Sequence, residues 1–272
     1  MKPRPFDYLR PDTVEEGVAA LAEHGEAARV LAGGQSLMAM LNLRLIEPAV
    51  LIDIARIPEL ADIRETGGAI EIGAAVTQNR LMAWPELAEK LPLLAAALPF
   101  VGHFQTRNKG TVCGSVAHAD PSSEIPLVLA MLGGEVVLRS RRGTRTLLAS
   151  AFQRGMLTTA REPDELITAV RFHLQRQRRV AFREVARRHG DFAIVAVAAV
   201  ADGGRVRIGV GGVADQPATR DIAMDADLGD AVNALAWELE GYEDIHATAR
   251  MRRDILRRIA PQVVDEALRC AA

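Results

Sequence analysis

The chain is 272 residues long, carries 33 Lys and Arg against 35 Asp and Glu for a net charge of -2, and is 49% hydrophobic. That balance excludes a disordered or low-complexity chain and leaves no electrostatic footprint for nucleic acid or an anionic membrane surface. The length exceeds the usual single-core range, so two or three sub-domains are expected.

The opening MKPRPFDYLRP lacks an apolar leader, and no window approaches the roughly 18 apolar residues of a membrane span, so the chain reads as cytoplasmic. Thr13-Val14-Glu15-Glu16 is a T-x-x-E capping box, followed by Val18, Leu21 and Ala22 at helical spacing and closed by Gly25. ARVLAG then reads as a short buried strand. The stretch Ala32-Gly33-Gly34-Gln35-Ser36 interrupts it with small residues, Leu37 to Leu45 has helical character, and Ala49 to Ile54 is a second buried strand. Together they make a small βαβ-like unit.

Beyond Ile57, AIEIGAAV alternates like a strand and LAEKLPLLAAALPFV is an alanine-rich helix that Pro92 starts, kinks or breaks. Gly110 to Leu132 holds a second glycine-rich turn that runs into an apolar helix, with Ser122 or Ser123 as its cap. EVVLRS and TRTLLAS form a hairpin and ELITAVRF a further strand. After a basic stretch near residues 176–179, where a domain boundary is expected, VAFREVAR, FAIVAVAAVAD and RVRIGVGGV form an antiparallel meander. From about Leu228 the pattern is helical.

Neither glycine segment fits G-x-G-x-x-G or the P-loop pattern. Both set small residues and hydroxyls at a strand end: Ala32 to Ser36, and Thr111-Val112-Cys113-Gly114-Ser115. A diphosphate needs several N–H donors at close range, which a glycine backbone allows and a following helix dipole reinforces. Taken singly each Gly-Gly is a tight turn; together they suggest two halves of one cradle. Cys113 and Cys270 make neither a disulfide framework nor a CxxC site, and two thiols cannot hold an iron–sulfur cluster, so such a centre belongs on another chain.

Residues 6–54, the segment TVCGSVAHADPSSEIPLVLAML and RRHGDFAIVAVAAV resemble the FAD-binding medium subunit of molybdenum hydroxylases, the group of carbon monoxide dehydrogenase and xanthine dehydrogenase flavoproteins, and the resemblance runs in order through almost the whole chain. It implies an α+β chain with the vanillyl-alcohol oxidase (PCMH-type) FAD-binding fold: two α/β sub-domains, 1–55 and 56–175, and a C-terminal domain, 176–272, of a three-stranded antiparallel sheet with helices. It implies that the first loop, with Leu31, Ala32, Gly33, Gly34, Gln35, Ser36 and Leu37, and the second, with Thr111, Val112, Cys113, Gly114 and Ser115, hold the FAD diphosphate. Asp120 and Glu124 then lie beside the cofactor, Leu166 touches the flavin, Arg183 stands where lysine is usual, and Phe192 replaces a tyrosine near the ring. Cys113 departs from the usual glycine; a position demanding positive φ would strain it.

The same resemblance implies electron transfer without a catalytic acid or base on this chain. FAD would take electrons singly from a [2Fe–2S] centre on a small subunit, fed by a molybdenum cofactor on a large subunit, and pass them to an external acceptor, in a dimer of heterotrimers. A stand-alone FAD oxidoreductase and a non-catalytic assembly module are the alternatives. Among single residues, His118 reads as a loop histidine capping local backbone, His103 and His189 as partly exposed. Met38 and Met40 read as core gap-fillers, Trp84 and Trp237 as anchors. The arginine row from Arg250 to Arg258 reads as a solvated helix face with an Asp254–Arg258 pair.

Overall fold

The computed structural model describes residues 2–175 and 179–269. The expected boundary at residues 176–179 therefore falls mostly outside the described residues, and so does Cys270.

The chain opens with β1 (Asp7–Leu9), α1 (Val14–His24), β2 (Ala28–Leu31), α2 (Gln35–Asn42) and β3 (Val50–Asp53). The three strands form an all-parallel sheet in the order β1-β3-β2. Half of the capping box forms as expected, Thr13 Oγ1 accepting from the Glu16 N–H at 3.2 Å, while the Glu16 carboxylate reaches one residue past the cap and accepts from the Asp12 N–H at 2.8 Å. Helix α1 buries Val14, Val18 and Leu21, the stripe its spacing specifies.

The second unit begins with β4 (Ile63–Thr66) and β5 (Ala69–Gly73) and runs through α3 (Gln78–Met82), α4 (Leu87–Lys90), α5 (Pro92–Ala97), α6 (Phe104–Lys109), α7 (Val112–His118) and α8 (Glu124–Met131). It closes with β6 (Glu135–Ser140), β7 (Gly143–Leu148), α9 (Ala149–Phe152), the short pair β8 (Gln153–Gly155) and β9 (Thr158–Thr159), and β10 (Leu166–His173). Its main sheet is antiparallel, ordered β4-β5-β10-β6-β7. Pro92 starts α5, where its missing N–H costs nothing.

The last unit is a meander of four strands, β11 (Val180–Val185), β12 (Val195–Asp202), β13 (Arg205–Gly211) and β14 (Ala218–Ala223), followed by α10 (Leu228–Glu238) and α11 (Ala249–Arg269). The expected three-stranded sheet is thus corrected to four. Strand β14 reads ATRDIA and exposes all but Ala218 and Ile222, so it lacks the apolar run that marked its neighbours.

Two apolar cores meet at this meander. One gathers α1, β3, β5, α5, α7, α8, β6 and β10 and continues into Phe182, Ala196 and Ala198. The other packs Val195, Val197 and Ala199 against Leu235, Leu256 and Val263 of α10 and α11. Strand β12 is therefore buried on both faces, which is why its sequence is a near-continuous apolar run. On the β13 side Gly209 makes room for α8, since a Cβ there would stand 2.5 Å from Met131 Cγ.

Candidate functional site

The first glycine turn leaves the carboxyl end of β2. Gly34 takes the left-handed conformation, φ 70°, that turns the strand into α2, a conformation glycine adopts without a steric cost. Gly33 is required for a different reason. A Cβ on it would run into the Lys109 carbonyl oxygen and stand 2.7 Å from Gly110 Cα, so its backbone rests directly on the chain entering the second turn. The two glycine segments, 77 residues apart between Gly33 and Gly110, are in backbone contact. No protein acceptor takes the N–H groups of Gln35, Ser36 and Leu37 among the described residues, so the first turn of α2 presents three free donors. The Gln35 side chain folds back to donate to the Gly33 carbonyl at 3.2 Å.

The second turn is more self-satisfied. Thr111 caps α7, its Oγ1 accepting from the Gly114 N–H at 2.9 Å; Val112 N–H donates to Val76 O at 3.1 Å and Ser115 N–H to Thr111 O at 3.2 Å. The Thr111 and Ser115 hydroxyl protons and the Cys113 N–H have no protein acceptor among the described residues, with Thr111 and Cys113 both buried. Gly114 is held glycine by the cap itself, because a Cβ would lie 2.7 Å from Thr111 Oγ1. Cys113 needs no positive φ. It sits in the first turn of α7 with its thiol buried among core residues, donating to the Ile72 carbonyl at 3.4 Å. The anticipated strain is absent, and burial pushes the thiol pKa up. A left-handed residue does occur nearby: Ala119, φ 54°, ends α7, its carbonyl accepting from Gln153 Nε2 at 2.9 Å and Leu157 N–H at 3.0 Å.

Beyond Ala119, Asp120 turns the chain by accepting from Ser122 N–H at 2.8 Å, and Glu124 begins α8 with only 3% of its surface exposed. Burial, with the Asp120 charge adding to it, raises the Glu124 carboxyl to about 7. Glu184 of β11 faces it. Burial and the Glu124 charge push Glu184 up to about 8, and its buried Oε2 has no hydrogen-bond partner among the described residues. Sequence reasoning passed over Glu184 because nothing in VAFREV distinguishes the inward carboxylate from the outward arginine except strand alternation.

Alternation also decides Arg183. Its neighbours Phe182 and Glu184 face the first core, and Arg183 faces α11, where Nε donates to Glu266 at 2.8 Å and a guanidinium nitrogen to Gln262 at 3.3 Å. No contact brings it to the glycine turns. Leu166 is likewise 1% exposed at the start of β10, its side chain against Gly17 of α1. Phe192 is 53% exposed on the loop between β11 and β12, which Gly190 seats against His103 just ahead of α6. That loop and Ser122, Asp244 and Arg252 line a cavity of about 310 Å³ that neither glycine turn reaches.

Several single-residue expectations change. His118 is the last residue of α7, caps nothing, and is held below its usual pKa by burial, with Asp120 opposing. The His103 and His189 rings, both exposed, meet edge-on at 6.5 Å. Met38 is 38% exposed rather than core, and Trp237 is 60% exposed with Arg253 and Arg257 stacked over its ring. Asp254 pairs with Arg250 and Arg257, not Arg258. Arg252 leaves the solvated row altogether: 1% exposed, it donates to Ile194 O and Gly212 O at 2.7 Å each, to Asp244 at 2.7 Å and to Tyr242 O at 3.1 Å. Gln78, also missed, lies buried under the second turn with Nε2 toward Thr111 O and Oε1 unpartnered. Among the described residues no helix is long and apolar enough to cross a membrane, and no His, Cys, Asp and Glu cluster could hold a metal ion.

The arrangement suits an elongated anionic ligand, with free amides in the first turn and hydroxyls in the second. Comparison with known proteins agrees with that chemistry. The profile of the FAD binding domain in molybdopterin dehydrogenase matches residues 4–173. The chain is 36% identical over 290 residues to the 6-hydroxypseudooxynicotine dehydrogenase complex subunit alpha of Paenarthrobacter nicotinovorans, covering 98% of this chain and 96% of that one. It is 34% identical to the nicotine 6-hydroxylase medium subunit of the same organism, over 98% of this chain and 99% of that one. The solved carbon monoxide dehydrogenase of Hydrogenophaga pseudoflava lacking the Mo-pyranopterin moiety contains a chain that superposes with a TM-score of 0.90 at 32% identity, complete on both sides. The chain therefore belongs to the family of FAD-binding domains of molybdopterin dehydrogenases and is an FAD-binding medium subunit of a molybdenum hydroxylase complex.

Proposed function

We propose that Leu31–Leu37 and Thr111–Ser115 hold the FAD diphosphate between them. The observation that carries this is the contact of Gly33 with the Lys109–Gly110 backbone, which brings the turn bearing the free amides of α2 against the chain that enters the turn bearing the Thr111 and Ser115 hydroxyls. Asp120 and Glu124 follow on the chain leaving α7, and Phe192 offers an aromatic face from the third unit. Leu166 and Arg183 drop out of this set, the first packed on α1 and the second engaged by α11.

When bound, FAD supplies the interconversion of one-electron and two-electron steps. The chain's own residues bind and orient it. The amides of Gln35, Ser36 and Leu37 neutralise phosphate charge, and the hydroxyls each add one donor. The electrons come from an iron–sulfur centre on a small partner subunit, supplied by the molybdenum cofactor of a large one, and leave to an external acceptor. The assembly is a dimer of heterotrimers in the cytoplasm, and the units are residues 1–55, 56–175 and 176–272. The test is a visible spectrum of the purified chain with the released chromophore identified by mass. FAD at about one per chain is expected; a colourless protein that refuses added FAD refutes the reading.

A further inference from the structure

Strands β2 and β3 are adjacent and parallel, and Leu31 pairs in register with Asp53. The Ile54 N–H donates to Leu31 O at 3.0 Å, which locks the last residue of β3 beside the entrance of the first glycine turn. Asp53 thus stands at the carboxyl end of a parallel pair whose crossover is α2. In open α/β sheets ligands bind at this edge; in sheets with the G-x-G-x-x-G turn an acidic residue about 20 positions on takes the ribose hydroxyls, and this chain, without that motif, shares the placement. Asp53 is twenty positions after Gly33.

The carboxylate is aimed but not used up. Its Oδ1 accepts from the Ala55 N–H at 2.9 Å and its Oδ2 from the Tyr8 hydroxyl of β1. A carboxylate offers about four acceptor positions, so roughly two stay open on a residue that is only half-buried. Ribose presents two neighbouring hydroxyl donors and no charge, which complements an acceptor-only group already fixed in orientation. We infer that Asp53 binds the 2′- and 3′-hydroxyls of the adenosine ribose of FAD, with Tyr8 and the Ala55 amide holding its carboxylate in place. This rests on the FAD reading above and extends the binding surface from the diphosphate to the adenosine end.

The competing reading is a strut, in which Asp53 serves only to tie β1 to β3 through Tyr8. Binding of FAD and of FAD with a 2′-deoxyadenosine moiety to the full chain, measured by fluorescence quenching, separates the two. The unaltered chain should bind the deoxy compound about tenfold more weakly or worse, the loss of a hydrogen bond to a charged acceptor. Asp53→Asn should weaken FAD and shrink that penalty to less than about threefold, whereas Tyr8→Phe should keep it. Equal binding of both compounds by the unaltered chain overturns the inference while leaving the diphosphate cradle standing. A penalty that survives undiminished in Asp53→Asn overturns the inference and leaves Asp53 as the strut. Failure to bind FAD at all removes both readings. Should Asp53→Asn not fold, the comparison of the two compounds on the unaltered chain still decides.

Discussion

Replacing Glu124 by glutamine removes an ionisable group from a site that resists ionisation, and the effect should appear as a change in how stability depends on pH. In the folded chain the carboxyl is raised from 4.5 to about 7, first by burial and then by Asp120. The native state thus holds a proton that the unfolded chain has already released between these values, so the contribution is full below about pH 4.5 and is lost as pH climbs through 7. At about 1.4 kcal/mol for each pH unit separating the two, the unaltered chain should lose roughly 2–3 kcal/mol between pH 5 and pH 8 from this group. For a chain of this size that is roughly 5–10 °C in Tm. Glu184 shifts in the same direction, raised by burial and by the Glu124 charge, and adds to the loss as pH rises. Glutamine keeps the shape and loses the titration. Thermal melts of the flavin-free chain and of Glu124→Gln from pH 5 to pH 8.5 should diverge, the variant gaining on the unaltered chain as pH rises. Two parallel curves would refute the assignment of a buried, proton-holding carboxyl at the head of α8.

Gly33→Val should strip bound flavin and lower Tm together, because the new side chain wedges the two glycine segments apart; a variant that keeps full flavin occupancy would refute the cradle. Arg252→Met leaves three backbone carbonyls and Asp244 without their donor, and should cost about 3–5 kcal/mol, read as a fall of roughly 10 °C in a thermal melt. A fall under about 3 °C would mean the guanidinium is replaceable. Arg183→Ala breaks a half-exposed pair with Glu266, so stability should change by less than about 1 kcal/mol. Its flavin potential, followed by redox titration, should stay where it is; a shift would put the arginine back beside the ring.

The first glycine turn was legible because it stands between the apolar strand β2 and α2; the second, expected at a strand end, instead links two helices, α6 and α7, and was legible only through its own small residues and hydroxyls. What the residues alone did not reveal was why Gly33 must be glycine. Its neighbour is Lys109, 76 positions away, and only the folded chain brings that carbonyl against it. Arg252 hid for the opposite reason. It sits in a row of arginines that differ only in helical phase, and a turn of about 100° per residue sends one of them into the core among carbonyls while its neighbours meet water. Asp53 and Gln78 carry no local pattern at all: the first matters through a parallel register, the second through an unpaired oxygen beneath Gly110. Arg183 shows the limit of strand reading: a one-residue change of phase exchanges the two faces completely, and here its guanidinium meets Glu266 and Gln262 of α11.

The larger core does not end where the matched FAD-binding segment does. That segment stops at residue 173, yet Phe182, Ala196 and Ala198 from the meander complete the same apolar cluster as α5 and α8. A ribosome that has released only the first 175 residues has therefore made a unit with an open oily flank. That flank must wait for about 25 further residues, roughly one to five seconds of synthesis, before β11 and β12 can cover it. A fragment cut at residue 173 should carry the same wound permanently and come out of cells as aggregate, whatever flavin is supplied. By the same token the third unit cannot swing away from the first two as a free lid, since half of its central strand is their interior wall.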